Sequence, residues 1–145
     1  MRTISVPLRL INLQDDGFHL LVEIVVFGEP GYAVVDTGAS RSVFDKTLIE
    51  KHIVAEEQPE TGSSSENYAT TLFSTSSTAL ATIPRLTIGK LKINDYDAIA
   101  LDLQSVNDTY EHFSHPRIAG IIGGDILIQY HAKIDYKKLT LKLYK

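Results

Sequence analysis

Hydrophobic positions along this chain recur mostly at every second residue, the period of a half-buried β-strand. "TISVPLRL" near the N-terminus alternates, and "FHLLVEIVVFG" carries Val, Ile and Leu in the same rhythm. "FGEPGY" then places Gly and Pro where a hairpin should turn. "YAVVD" breaks the alternation: it is a short, almost wholly apolar run of the kind buried on both faces. After the next glycine, "SVFDKTLIEKH" suits a short helix, with Ser42 and Asp45 at capping-box spacing.

Residues 61–82 hold twelve Ser or Thr, which suits either a flexible linker or a solvated hairpin. Tyr68, Leu72, Phe73 and Leu80 favour the hairpin. "RLTIGKLKI" is a stronger hairpin signal, turning at Gly89-Lys90, and "YDAIALDL" continues the sheet. "QSVNDTYEHFSHP" reads as a polar connection with one helical turn. An apolar strand "IAGII", a glycine pair, a helix-like "DILIQYH" and a final hairpin "AKIDYKKLTLKLY" complete the chain. No internal repeat or linker divides it. The expectation is one mainly β domain over residues 1–145 with one or two short helices.

Composition narrows the function more than the fold. A length of 145 residues is enough to bury a real core. The net charge of −4, with no basic run, argues against nucleic-acid or anionic-membrane partners. Zero cysteines remove disulfides, thiolate metal sites and a cysteine nucleophile together. No window approaches the roughly 18 apolar residues of a membrane span. The N-terminus reads as a first strand rather than a signal peptide, so the cytoplasm is the default location.

The chemistry concentrates at Asp36-Thr37-Gly38. An apolar strand running into Asp36 holds its carboxylate in a fixed position, and Gly38 permits close backbone approach and an unusual turn. Thr37 offers a hydroxyl to a tight interface. Alone, the three residues are also ordinary turn chemistry. A second element, "AGIIGGDILIQYHAKIDYKKLTL", raises their weight: a buried strand, a glycine break at 123 and 124 that allows tight backbone crossing, a helix and a returning strand.

Together the two segments resemble the retropepsin-like aspartic peptidases. The first motif is Val34, Val35, Asp36, Thr37, Gly38, Ala39 and Ser40; the second is Ile121, Ile122, Gly123, Asp125, Ile126 and Leu127. The resemblance covers residues 17–145 and implies a closed β-barrel protomer. It implies Asp36 as the catalytic aspartate, Thr37 and Gly38 as supports of the dyad, and Gly38, Ala39 and Ser40 as substrate-binding main chain. It also implies a peptide or protein substrate, with no metal and no cofactor. A glycine-rich flap belongs between the motifs, but residues 61–82 carry only Gly62, so no flap tip is assigned.

That chemistry needs two carboxylates sharing a proton, and the motif occurs once. Asp125 is expected at a helix start, where orphan N–H groups stabilise it. Asp102 and Asp135 lack the following Thr-Gly, and Asp45 reads as a helix-cap residue. The second carboxylate is therefore expected from Asp36 of another copy, in a two-fold homodimer. His112 and His115 form H-x-x-H without the zinc-peptidase spacing and read as solvated, while His19, His52 and His131 are scattered singly. No G-x-S-x-G elbow supports a serine hydrolase, and "GIIGGD" lacks the residues of a phosphate loop. The rival reading is a catalytically inactive binding or regulatory module that keeps the same fold.

Overall fold

A computed structural model describes residues 2–56 and 79–145. Strands β1 (Thr3–Asn12), β2 (Phe18–Val26) and β3 (Glu29–Val35) form an antiparallel meander. The β2–β3 turn is tighter than "FGEPGY" suggests. It uses only Phe27 and Gly28, both at positive φ (54° and 77°), the two-residue geometry that matches strand twist. Pro30 and Gly31 already belong to β3.

β4 (Val43–Asp45) follows, then helix α1 (Lys46–Glu56), β5 (Ala79–Ile88) and β6 (Leu91–Leu101). The last part of the chain holds α2 (Gln104–His112), β7 (Ile118–Ile122), α3 (Gly124–Gln129), β8 (Lys133–Asp135) and β9 (Thr140–Tyr144). Six strands close a ring in the order β3-β7-β4-β6-β5-β2, with β2 returning to β3. Two of its contacts are parallel, β3 with β7 and β4 with β6. β3 and β4 are near neighbours in sequence, yet β7 lies between them. The loop joining them, residues 36–42, therefore passes the end of β7. Outside the ring, the first half of β2 pairs with β1, which continues the sheet to β9 and β8.

Two apolar clusters explain the sequence pattern. Leu20, Val22, Ile24, Val26, Ala33 and Val35 join the main core with Phe44, Ile83, Leu86 and Ile122. The alternate positions Leu21 and Val34 enter a second cluster with Ile11, Leu13, Leu103, Tyr110 and Ile118, supplied partly by α2. Ala33–Val35 run apolar without a break because both faces of their strand are covered.

Two local expectations are corrected. "SVFD" is not the start of a helix: Val43–Asp45 is strand, paired with β6 and β7, and Phe44 is fully buried. Ser42 and Asp45 accordingly form no capping box; α1 starts at Lys46. "QSVNDTYEHF" yields a nine-residue helix rather than one turn, with Asn107 and Tyr110 buried beneath it. The Asn107 amide donates to the Ile118 carbonyl (3.2 Å), and its oxygen accepts from the Ile118 amide (2.7 Å), which fastens α2 to β7. In the Ser/Thr-rich interval, residues 79–82 begin β5 and the rest lies outside the described residues.

Candidate active site

β3 delivers Asp36 at its C-terminal end, beside the end of the parallel strand β7. The Asp36 amide donates to the Ile122 carbonyl (2.9 Å), continuing the ladder by one step. The chain then turns. The Ala39 amide returns to the Asp36 carbonyl (3.1 Å), and the Gly38 amide donates to Asp36 Oδ1 (2.9 Å). Asp36, Thr37, Gly38 and Ser40 are exposed in the single chain, and Ala39 is half-buried.

Gly38 earns its place differently from the expected unusual turn, since it does not adopt a positive φ. A Cβ there would stand 3.3 Å from Asp36 Oδ1, so glycine leaves room for the carboxylate to reach the backbone amide. At Gly123 the constraint is harder. A Cβ would meet Ala39 O at 2.7 Å and Arg41 O at 2.9 Å, both backbone atoms. The close crossing expected of the glycine pair is present, and the Gly124 amide seals it with a 2.7 Å bond to Ala39 O.

The far end of the loop is held by Asp125. Its Oδ1 accepts from the Ser42 amide (2.9 Å) and the Ser42 hydroxyl (2.7 Å), while Oδ2 accepts from the Tyr96 hydroxyl (2.5 Å). Arg41 Nε lies 3.4 Å from Oδ2, and Arg41 Nη2 donates to the Asp97 carbonyl (3.3 Å). Burial works to raise the pKa of Asp125. The hydrogen bonds from Tyr96, Ser42 and the Ile126 amide outweigh it and hold the carboxyl below its ordinary range. Burial, followed by the Asp125 carboxylate, pushes the Tyr96 hydroxyl well above its usual value.

Asp36 also acts at a distance. Burial raises the Tyr110 hydroxyl to about 12, and the negative charge of Asp36 adds to the shift. That hydroxyl lies 2.6 Å from Nδ1 of His19.

The other candidates have partners of their own. Asp102 accepts from the Gln104 amide, Asp135 from the Lys137 and Lys138 amides, and buried Asp45 from the Leu103 amide at 3.4 Å. His52 meets Glu29 (2.7 Å) and His115 meets the Asn12 carbonyl (2.8 Å). Among the described residues, no three His, Asp or Glu side chains gather as a metal site requires. None of the described helices is long and apolar enough to cross a membrane. Tyr96 stands in no motif and Ser42 only in a capping-box pattern that points elsewhere; their Asp125 bonds link distant parts of the chain.

A family pattern described as "Aspartyl protease" matches residues 22–126, which include both the Asp36 loop and Gly123-Gly124-Asp125. The chain belongs to the aspartyl protease family. Solved structures of this aspartyl protease fold resemble it along most of its length. One is a retropepsin-like aspartic protease from Rickettsia conorii, 20% identical, with a TM-score of 0.55 over 99% of this chain and 91% of that one. Another is the retroviral protease-like domain of Ddi1 from Leishmania major, 16% identical, with a TM-score of 0.54 over 86% of this chain and 87% of that one. At these identities the likeness concerns the fold, a retropepsin-like closed barrel. No curated protein matches the chain.

Proposed function

We propose that residues 1–145 act as one catalytic domain, an aspartic endopeptidase whose dyad is Asp36 from each of two copies across a two-fold axis. The observation that carries this reading is the placement of Asp36. It is exposed at a strand end, its backbone fixed to Ile122 and one carboxylate oxygen fixed by the Gly38 amide. Asp125, the aspartate of the second motif, is occupied by Ser42, Tyr96 and Arg41 and is a poor candidate for the second carboxylate. Symmetry supplies it instead.

Two carboxylates a few ångströms apart do not both ionise, so the pair holds one proton. The ionised member takes a proton from a water bound between them as that water attacks the peptide carbonyl. The protonated member donates to the carbonyl oxygen, and the pair then delivers a proton to the leaving amine. Thr37 of each copy braces the opposite turn. Gly38, Ala39 and Ser40 line the substrate groove, with the Ala39 amide and carbonyl already engaged by Asp36 and Gly124. The Gly38 carbonyl and the Ser40 main chain are therefore the groups offered to a peptide.

Digestion of a peptide library from acid to neutral pH, with Asp36→Asn as control, tests the assignment. Wild type should cleave, the isosteric variant should not, and specific activity should fall on dilution as dimers dissociate. A wild-type protein inert at every pH would favour the inactive binding module. Full activity in a sedimenting monomer would refute the shared dyad.

A further inference from the structure

We infer that Asp125 is the positioning residue of the Asp36 loop, and that Tyr96 makes the β5–β6 hairpin part of the same clamp. The inference rests on the peptidase reading for its catalytic consequence, but its geometry is independent of it. One carboxylate joins three pieces of structure: its own helix α3, the end of the loop at Arg41 and Ser42, and strand β6 through Tyr96. Ser42 is fully buried and completely used, its hydroxyl donating to Asp125 and accepting from the Gly123 amide at 2.8 Å. The loop is thus anchored at both ends, by Ile122 behind Asp36 and by Asp125 behind Ser42.

The chemistry requires a carboxylate there. All five groups facing the Asp125 oxygens are donors: the Ser42 and Ile126 N–H groups, the Ser42 and Tyr96 hydroxyls, and the Arg41 guanidinium. An ionised Asp is acceptor-only and satisfies all of them, whereas an amide turns its NH2 toward one side of the cluster. With that NH2 toward Tyr96 and Arg41, the bonds to Ser42 lose the charge that strengthens them and the link to β6 reverses or breaks. Tyr96→Phe removes the same link from the other end and leaves the charge in place.

Asp125→Asn, Tyr96→Phe and their double mutant are compared with Asn107→Ala, a destabilising change on α2 away from the clamp. Peptide cleavage gives kcat and KM, and amide exchange is read at Ser42 and Gly123. In Asp125→Asn, kcat should fall about tenfold or more with KM little changed, as expected when a reacting group is misplaced by a fraction of an ångström. Exchange at Ser42 and Gly123 should quicken by a similar factor. Tyr96→Phe should act in the same direction, and the double mutant should add little to Asp125→Asn. Asn107→Ala should lower stability with kcat near wild type, and exchange at Ser42 and Gly123 should quicken no more than at core amides elsewhere. If Asp125→Asn leaves kcat and both exchange rates at wild-type values, the clamp is wrong. If wild type cleaves nothing, the peptidase reading fails, and the exchange rates still decide the clamp.

Discussion

Gly123→Ala puts the crossing of the two motifs under direct load. The backbone at Gly123 has φ −112° and ψ −165°, which alanine adopts without strain, so the whole effect is steric. The new methyl would lie 2.7 Å from Ala39 O. To reach the roughly 3.3 Å of a tolerable C–H···O contact, the loop must retreat by about 0.6 Å. The retreat stretches the Gly124–Ala39 bond, now 2.7 Å, and loosens the Gly123–Ser42 bond, now 2.8 Å. Overpacking of this kind costs about 1–3 kcal/mol, and each weakened hydrogen bond up to about 1 kcal/mol more. A loss near 3 kcal/mol corresponds to roughly 10 °C in Tm for a chain of this size. Urea unfolding followed by circular dichroism should show a lower midpoint at unchanged slope. Gly31→Ala is the control, because its Cβ would meet only the Ala119 methyl at 3.4 Å. It should be neutral or slightly stabilising, since a strand glycine carries extra chain entropy. If Gly123→Ala unfolds within about 0.5 kcal/mol of wild type, the loop and β7 do not cross as closely as argued.

Asn107→Ala strips both backbone groups of Ile118 of their partner and should cost about 2–4 kcal/mol, measured by the same urea unfolding. At alkaline pH the raised Tyr110 hydroxyl sets the sign. Its stabilising contribution is whole below pH 10, the ordinary tyrosine value, and is lost as pH rises toward about 12. Tyr110→Phe should flatten that decline, whereas an equally steep fall in the variant would assign it elsewhere. For Asp125 the folded pKa is lowered, so its contribution is present above the ordinary carboxylate range and lost only as pH falls below it. The stability gap between wild type and Asp125→Asn should therefore persist through mildly acidic buffers and close only in strong acid.

What the sequence disclosed and what it hid divide along sequence distance. "YAVVD" and "IAGII" announce themselves because strands covered on both faces have no polar positions. Gly89-Lys90 is legible because a hairpin is decided by adjacent residues. "SVFD" misleads because its conformation is set by Ile99–Leu101 and Gly120–Ile121, far along the chain, and not by its helix-like neighbours. α2 is understated because one of its inward residues is Asn107, a polar side chain that a hydrophobic pattern scores as surface. At the site, Asp36 and the glycine pair stand in motifs. The Asp125 partners do not: Ser42 is 83 positions away and Tyr96 is 29. The start of α3 explains one partner of Asp125, the Ile126 amide; the others come from the Asp36 loop and β6.

The insertion of β7 between β3 and β4 also fixes an order of events during synthesis. A growing chain emerges N-terminus first, so Asp36 and its loop are made long before Ile118–Ile122. Until those five residues and then Asp125 arrive, the Asp36 amide lacks its acceptor, Ser42 lacks its partner, and the ring of strands stands open. Pairings this remote in sequence form late in folding. A chain truncated before β7 therefore carries the full Asp-Thr-Gly motif without the scaffold that aims it. The Asp36 loop takes its fixings from a strand made long after it.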